Sequence, residues 1–448
     1  MSDGAIEKLP RSWIREKLSQ SPTVYVVLYG IAMSFGTYFC MYAFRKPFSV
    51  GTFEGPKFWR LDLKTTFVVS QILGYALSKF IGIKICTEIG RRQRRNALWV
   101  LIVAAQCALL LFAVLPESWK IAAIFLNGLP LGMVWGLCVW YLEGRRTSEL
   151  LLAGLSCSFI ISSALVKDVG RYLLVHQGIP EFWMPFCVGS IFIVPYFLFV
   201  WLLDQLPDPD EQDEAERSPR VTMDREMRYV AFKDIAFAMV MLLVGYFFLT
   251  AFRDYRDNYG IEIFQALGYA EVPLVFSRTD WPIAFGVMSI LALTNFVRNR
   301  RWGLFAAFAV MLSGALMIGA ATWLFDGGHL TGITWMVLIG LGAYVMYVPY
   351  GSLLFDRLMA ATGMVGTAVF GIYIADAIGY TGSIGVQLYK DLGQPSLSRL
   401  QFFRWYCYFV SATGILTLVS SYLFLRKKQR LSETLTESRT ARSLGSKL

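Results

Sequence analysis

The chain has 448 residues, of which 56% are hydrophobic and only 17% are charged, and its mean hydropathy is +0.50. This composition lies far outside the range of soluble domains, so it excludes a soluble globular protein and predicts a polytopic membrane protein. The formal net charge of +10 arises largely from basic loops that fit anionic membrane lipid, and the sequence contains no nucleic-acid-binding module.

Twelve apolar runs are long enough to cross a membrane as helices. A hydrocarbon core of roughly 30 Å needs about 20 residues at a rise of 1.5 Å per residue. The predicted spans are 24–44, 65–87, 96–115, 119–142, 151–174, 182–203, 233–252, 281–297, 303–325, 331–355, 364–388 and 402–425. The predicted fold class is therefore an all-α membrane protein with twelve transmembrane helices.

The distribution of Lys and Arg predicts the orientation of the chain. Basic residues favour cytoplasmic loops, and with both termini inside, most of the 42 Lys and Arg residues fall on the cytoplasmic side, for example at 91–95. The first apolar run lacks a small-residue cleavage site, so we expect it to remain as a membrane helix. We expect a multi-pass protein of the plasma membrane or the bacterial inner membrane, with both termini cytoplasmic.

Cysteine and histidine give no sign of a metal site or a disulfide framework. The seven cysteines are scattered through apolar runs without paired spacing, which is typical of small hydrophobic residues. Both histidines, His176 and His329, fall in predicted external loops. There is also no nucleophile elbow, phosphate-binding loop or metal-ligand cluster. We therefore expect neither a metal nor a cofactor, and no enzymatic activity.

One long internal polar segment, 204–232, divides the chain into two sets of six predicted helices. It is acidic first and basic afterwards, which is typical of a linker, with a regulatory or docking role as the alternative. The predicted domains are an N-terminal six-helix bundle at 1–203, this cytoplasmic linker, and a C-terminal six-helix bundle with a basic cytoplasmic tail at 233–448.

Short sequence matches relate the two halves. Ala43-Phe44-Arg45 and Ala251-Phe252-Arg253 each end the first long apolar run of a half, and Gly154 and Gly170 have the same spacing as Gly366 and Gly382. Two parallel six-helix repeats resemble the architecture of major facilitator transporters, which bind substrate at the repeat interface near the membrane midplane. We therefore predict the major facilitator fold.

Arg45 and Arg253 are the main candidate site residues. Charged groups at membrane depth are costly and are kept mainly where they face a cavity, a partner or a ligand. Arginine is suited to bidentate capture of phosphate or carboxylate. The matching positions predict an anion-binding site between the halves; the alternative is that both arginines snorkel to the external interface.

Further residues are candidates for the same anion site. Lys79, inside the second span, adds a third positive group unless it snorkels toward the cytoplasmic end. Tyr38 and Tyr42 precede Arg45 by seven and three residues and share roughly its helix face. Their hydroxyl groups would complete the hydrogen bonds to an anion, and aromatic packing is the alternative.

Charged residues in the fifth and eleventh spans are candidates for gating or coupling. Lys167 and Arg171 lie one helical turn apart, and Asp168 lies three residues before Arg171; together they predict an internal ion pair or an external gate. Asp376 lies deep in the eleventh span. It is interpreted as a proton carrier, as a counter-ion for one of the arginines, or as a helix-to-helix hydrogen-bonding group.

These motifs resemble those of the organophosphate:phosphate antiporters of the major facilitator superfamily. The Ser-Lys-Phe-Ile motif at 78–81 matches the second-helix pattern of that family closely. The other similar segments are Tyr42-Ala43-Phe44-Arg45-Lys46-Pro47-Phe48-Ser49, Arg253 followed by Asp257 and Tyr259, and the glycine-rich run from Gly366 to Gly382. The likeness extends over most of the chain.

The resemblance implies that Arg45 and Arg253 clasp a phosphate group, that Lys79 assists, and that the two halves rock between inward- and outward-facing states. Two departures indicate a divergent branch. A histidine common in the fifth helix of the family corresponds to Phe159, and the cytoplasmic signature after the second helix is shortened at 88–92.

The leading functional hypothesis is a secondary transporter of a small organic anion, a phosphate ester or inorganic phosphate, that acts as a monomer by exchange or proton coupling. Repulsion between two arginines in an empty site would slow the conversion of the unloaded protein between its two states, which favours exchange. One alternative is a membrane receptor that keeps the transporter fold and senses an anion without moving it. The other is a major facilitator transporter of a non-phosphate substrate.

Overall fold

The structure is a computed structural model that describes residues 12–55, 57–210, 213, 225–294, 300–352, 354–355, 357–358 and 368–445. In this part of the chain the regular structure is helical. Some sequence predictions fall outside it: residues 211–212 and 214–224 of the predicted linker, and Gly366 in the eleventh predicted span.

Seven α-helices and one short 3-10 helix precede the central polar segment. They are α1 (Trp13–Ser19), α2 (Thr23–Tyr42), the 3-10 helix (Pro47–Val50), α3 (Leu63–Glu88), α4 (Arg91–Val114), α5 (Glu117–Leu142), α6 (Ser148–Val175) and α7 (Met184–Asp204). Local sequence sets several of their ends. Ser12 caps α1 by accepting a hydrogen bond from the Arg15 backbone N–H at 3.2 Å.

The rest of the described chain forms seven more α-helices and a π-helical turn at Tyr389–Gly393. The α-helices are α8 (Arg225–Asn258), α9 (Gly260–Ala266), α10 (Val275–Thr294), α11 (Arg300–Asp326), α12 (Gly332–Ser352), α13 (Ala368–Leu388) and α14 (Arg399–Gly445). The first helical residues of α8 fall within the segment that the sequence predicts as a linker.

A helix overlaps each of the twelve predicted spans. Among the described residues, nine helices are long and apolar enough to cross a membrane, and they include α2, α8 and α14. Two of the other three carry charged residues within their predicted spans, namely Lys79 in α3 and Asp376 in α13. The protein is therefore a multi-pass membrane protein, whereas the twelve-helix arrangement in two bundles and the N-in, C-in orientation stay predictions.

The described residues cluster into two compact units. The first contains those within 1–218, 257–265 and 269–281, and the second contains those within 219–256, 266–268 and 282–448. The predicted domain boundaries at 203 and 233 stay predictions. Because 257–265 and 269–281 belong to the first unit, contacts between these residues and the helices before residue 218 lie within that unit.

Glycines allow close helix packing in the first unit. α3 packs against α5, α4 also packs against α5, and α2 packs against α6 and α7. A Cβ atom on Gly128 would collide with the backbone of Gln71 and Tyr75, and one on Gly74 would collide with the Phe125 carbonyl. Close backbone approach at small residues is how membrane helices associate without a hydrophobic driving force. These close contacts hold α3 in a fixed register beside α5.

Gly128→Ala is expected to lower the free energy of unfolding by about 1–3 kcal/mol, because the added methyl group meets backbone that cannot move aside cheaply. Gly90→Ala is the matched control, since a Cβ atom there has nothing within 4 Å. Thermal unfolding in detergent compares the two variants. Equal melting temperatures for Gly128→Ala and wild type would contradict the close contact.

In the second unit, α11 packs against α12 and α14, and α12 also contacts α13. Gly314 and Gly342 face each other, and a Cβ atom on either would meet the carbonyl oxygen of the other. This close approach holds α12, which carries Tyr347 and Tyr350, against α11.

Candidate functional site

Arg45 lies in a buried turn, not at the end of a helix. α2 stops at Tyr42, and the 3-10 helix begins at Pro47. Proline lacks the N–H that a continuing helix needs. The helix therefore ends slightly before the predicted span 24–44 does. Arg45 and Lys46 are each only 4% exposed.

Two amide side chains hold this turn. The Asn127 side chain donates to the Phe44 carbonyl at 3.0 Å, and the Gln71 side chain donates to the Arg45 carbonyl at 3.1 Å and to Asn127 at 2.7 Å. Carbonyl groups at a helix end need partners outside the helix, particularly when they are buried. Gln71 and Asn127 therefore fix the position of Arg45. The sequence analysis did not single them out, although amide side chains inside apolar spans are a usable signal.

Arg45 and Lys79 converge on one aromatic ring. The Arg45 guanidinium carbon lies 3.8 Å from the centre of the Tyr75 ring, and the Lys79 ammonium nitrogen lies 5.4 Å from it. Tyr75 and Lys79 are four residues apart on α3 and thus share a helix face. All three side chains are buried. The structure therefore brings two predicted cationic site residues together, with Tyr75 as a residue that the sequence analysis missed.

Tyr38 and Tyr42 belong to an aromatic cluster. Tyr38 meets Tyr42 edge to face at 5.5 Å between ring centres and meets Trp135 at 4.9 Å. The ring centre of Trp135 lies 6.3 Å from that of Phe159. Phe159 occupies the position of the histidine that is common in the organophosphate:phosphate antiporters. Aromatic packing thus accounts for the burial of both tyrosines, and their role in anion binding stays a prediction.

Arg253 has a different backbone setting from Arg45. The sequence analysis placed each arginine at the end of an apolar run, with the seventh span at 233–252. The helix extends beyond that span, because α8 continues to Asn258. The physical reason lies in the following residues. A proline follows Arg45 closely, whereas α8 has no proline after Arg253 and can continue for more than one further turn.

Arg253 also stacks on a tyrosine, within the second unit. Its guanidinium carbon lies 4.1 Å from the centre of the Tyr347 ring, and its Nη2 donates to Asp254 at 3.0 Å. Tyr347 stacks on Tyr246 with ring centres 5.2 Å apart, and the Tyr246 hydroxyl group donates to Asp376 at 2.9 Å. Two predicted site residues, Arg253 and Asp376, are thus connected through two stacked rings.

Lys167 forms its ion pair with Asp257. The first unit contains Asp257 as well as α6, and the ammonium groups of Lys46 and Lys167 both contact the Asp257 carboxylate. Ser163 donates to the same carboxylate at 2.6 Å, and Lys46 donates to the Asn258 amide oxygen at 3.1 Å. The sequence analysis did not select Asp257 as a site residue, although it lies one turn after Arg253.

The other two candidates on α6 bind backbone groups of the same segment. Asp168 accepts a hydrogen bond from the Ser277 backbone N–H at 2.8 Å, and Arg171 donates to the Val272 carbonyl at 3.3 Å. Lys167, Asp168 and Arg171 therefore all hold residues of 257–281 to α6. Their gating role stays a prediction.

Comparisons with known proteins identify the fold and the family. The crystal structure of a D-xylose-proton symporter superposes with a TM-score of 0.60 at 14% sequence identity, covering 90% of this chain and 97% of the symporter. The crystal structure of an auto-inhibited POT family peptide transporter superposes with a TM-score of 0.56 at 13% identity, with the same two coverages. At such identities these matches show the fold alone, which this chain shares with the two transporters.

Membership of the organophosphate:phosphate antiporter branch stays a prediction. No curated protein matches the sequence significantly. Residues 47–428 match the model of the family of unknown function DUF5690. This match covers most of the chain, from the 3-10 helix after Arg45 into α14, and the chain therefore belongs to the DUF5690 family.

Proposed function

We propose that the protein is a secondary transporter of a small organic anion, a phosphate ester or inorganic phosphate, that works by alternating access. Arg45 and Arg253 bind the transported anion, and Lys79 assists. The major facilitator fold supports the transporter class. We further propose a monomer in the plasma membrane or bacterial inner membrane, with both termini cytoplasmic and no enzymatic activity.

The observation that carries this proposal is the convergence of Arg45 and Lys79 on Tyr75. Two buried cations against the same ring form a region of concentrated positive charge, and charged groups inside a membrane protein mark a functional site by default. A guanidinium group with a planar fork binds phosphate through two parallel hydrogen bonds. The Tyr75 ring covers one face of the Arg45 guanidinium. The N–H groups at the edge of the guanidinium are therefore the part suited to binding an anion.

Arg253 supplies an equivalent stacked guanidinium in the second unit. It too is oriented by a tyrosine ring, at almost the same distance as Arg45. The Ala-Phe-Arg repeat of the sequence thus corresponds to a repeated arginine-on-tyrosine arrangement. Phosphate is the preferred anion because of the sequence resemblance, and the tyrosines Tyr38 and Tyr42 are proposed as additional hydrogen-bond donors.

The ion-pair cluster around Asp257 supports the alternating-access part of the proposal. Within the first unit, Lys46 and Lys167 contact the Asp257 carboxylate, and Asp168 and Arg171 bind backbone groups further along the same segment. We propose that these contacts form an external gate that breaks when the site opens outward. Ion pairs suit this task because they have discrete joined and separated states.

Exchange of labelled phosphate tests the proposal directly. Purified protein is reconstituted in liposomes loaded with inorganic phosphate or one of a panel of phosphate esters, and thermal-shift binding is measured in parallel. Uptake of external label that requires internal phosphate or ester supports the transporter. Binding without flux would identify a receptor instead, and neither binding nor flux would direct the search to non-phosphate substrates.

A membrane receptor is the second candidate, and one observation favours it. The acidic start of the central polar segment is bound to the basic side of the first unit. Arg91 pairs with Asp208 at 2.7 Å, Arg95 pairs with Asp204 at 3.5 Å, and the Arg146 backbone N–H donates to Asp213 at 3.0 Å. A docked segment of this kind is suited to reporting a conformational change to a cytoplasmic partner.

Substitution of Tyr75 gives a sharp test of the ring's role. Tyr75→Leu is expected to weaken the apparent affinity for phosphate about five- to thirtyfold, since a desolvated cation–π contact contributes about 1–2 kcal/mol. Tyr75→Phe retains the ring and is the matched control, with affinity within about twofold of wild type. The measurement is the phosphate concentration for half-maximal exchange. Equal affinities for the Leu and Phe variants would contradict this role.

A further inference from the structure

A short hairpin at 58–61 precedes α3 in the first unit. Phe58 and Leu61 pair through two backbone hydrogen bonds of 2.9 Å, and Trp59 and Arg60 form the turn between them. Both turn residues have a positive φ, which is 50° at Trp59 and 70° at Arg60. Positive φ at both central positions is the pattern of a two-residue type I′ turn, for which Asn-Gly is the preferred sequence. This turn carries two bulky residues instead.

The turn is strained by its own side chains. Positive φ brings the Cβ atom too close to backbone oxygen, and for a bulky residue it is an outlier. Among the described residues, four that are not glycine have a positive φ, and Trp59 and Arg60 are the two that adjoin. Internal packing does not explain this strain, because Trp59 is 84% exposed. An outlier of this kind points to a function outside the packed core.

The strained turn presents a pair of aromatic rings to the surroundings. Trp59 is the most exposed large hydrophobic side chain in the described part of the chain, and Phe58 is also exposed. Their rings stack with centres 6.3 Å apart and an interplanar angle of 21°. At the base of the hairpin, Lys57 and Asp62 form an exposed ion pair at 3.6 Å. The tip therefore offers two stacked rings flanked by charged groups.

The hairpin lies close to the boundary between membrane and water. Trp59 precedes Leu63, the first residue of α3, by four residues, and four residues span at most about 14 Å. The polar zone on each side of a bilayer is about 5–8 Å thick. Tryptophan concentrates at this level because its ring is amphipathic, and arginine extends its charge toward the headgroups. The exposed rings are therefore within reach of lipid headgroups.

The size and charge of the tip favour a lipid surface over a protein partner. An aromatic side chain buries about 150–250 Å², so two rings supply at most about 500 Å². A stable protein interface needs about 800 Å² from each partner. The charges around the tip, on Glu54, Lys57, Arg60 and Asp62, cancel. A small aromatic tip without net charge suits the headgroup layer of phospholipids.

α3 is a helix for which an anchor matters. Nine helices in the described part of the chain are long and apolar enough to cross a membrane, and α3 is not among them. Interfacial tryptophan and arginine set the depth and tilt of membrane helices. We propose that the hairpin at 58–61 is an interfacial anchor, in which the rings of Phe58 and Trp59 insert among lipid headgroups. The anchor fixes the depth of α3, which carries Tyr75 and Lys79.

Photocrosslinking of full-length protein in liposomes of phosphatidylcholine and phosphatidylglycerol tests the contact. The photoreactive residue p-benzoylphenylalanine replaces Trp59 or, as a positive control, Leu416, which is 66% exposed on the apolar helix α14. Mass spectrometry of the irradiated protein is expected to show a phospholipid adduct at 59, with a yield within about threefold of that at 416. An adduct at 416 without one at 59 would overturn the proposal. A covalent dimer through 59 would overturn it in favour of contact between two copies.

A double variant, Trp59→Asn with Arg60→Gly, separates the strain from the membrane contact. Asn-Gly fits a type I′ turn, so the thermal midpoint in detergent is expected to rise by about 1–3 °C. With p-benzoylphenylalanine in place of Phe58, lipid adducts are expected to fall at least threefold relative to the same substitution in the parent chain. Lys57→Met is the matched control, because it removes the exposed ion pair but keeps the rings and the turn, and its adduct yield is expected to be unchanged. Undiminished adducts in the double variant, or a lowered midpoint, would overturn the proposal.

Discussion

Arg45→Lys and Arg253→Lys are each expected to lower phosphate exchange about ten- to hundredfold while leaving the protein folded. A lysine ammonium keeps the positive charge but lacks the planar fork that binds an anion through two parallel hydrogen bonds and stacks on Tyr75 or Tyr347. Charge-assisted hydrogen bonds contribute about 1.5–3 kcal/mol each, and the loss of one corresponds to this range. Initial rates of labelled phosphate exchange in liposomes measure the effect.

Arg404→Lys provides the control for this pair. Arg404 also stacks on an aromatic ring and pairs with Asp326, but its side chain is exposed and it was not predicted to bind the anion. Its exchange rate is expected to equal that of wild type. Unchanged exchange in both Arg45→Lys and Arg253→Lys would refute the arginine mechanism, and tolerance of glutamine at both positions would favour a transporter of uncharged or cationic compounds.

Asp257→Ala is expected to lower the free energy of unfolding by about 3–5 kcal/mol. The substitution removes the carboxylate that contacts two lysines, and both lysines are at most 5% exposed. Removing one member of a buried ion pair leaves uncompensated charge in a low-dielectric environment, which costs more than the pair itself contributes. Reversible unfolding by SDS titration measures the change.

Two further variants distinguish the cost of leaving buried charge unpaired from the cost of losing side-chain contacts. A triple variant with Lys46→Met, Lys167→Met and Asp257→Leu removes all three charges and is expected to be closer to wild type than Asp257→Ala alone. Lys57→Met breaks an exposed pair with Asp62 and is expected to cost less than about 1 kcal/mol. An Asp257→Ala protein as stable as Lys57→Met would show that the buried cluster does not hold its segment in place.

The helical framework could be predicted because membrane helices must satisfy their own backbone hydrogen bonds and cover them with apolar side chains. Each predicted span accordingly overlaps a helix. The helix ends were less predictable. Pro47 ends α2 before Arg45, whereas the equivalent stretch after Arg253 continues as helix to Asn258, so the same Ala-Phe-Arg triplet has two backbone settings.

Partners of the charged residues were the least predictable part. Lys167 lies beside Asp168 in the sequence and was predicted to join an internal pair or an external gate, but it pairs with Asp257, while Asp168 accepts from the Ser277 backbone. Sequence spacing identifies neighbours on one helix. It does not identify which residue a separate segment presents to that helix.

The sequence by itself determined that this is a multi-pass helical membrane protein with charged residues at membrane depth, because apolar length and the cost of charge in hydrocarbon are local properties of the chain. The tertiary structure alone decided that Tyr75 lies beneath Arg45 and Lys79, and that Tyr347 and Tyr246 connect Arg253 to Asp376. Apart from the contact of Tyr75 with Lys79 within α3, these contacts join separate elements of the chain. They therefore depend on how the helices pack, and that packing is fixed by close contacts such as the one at Gly128.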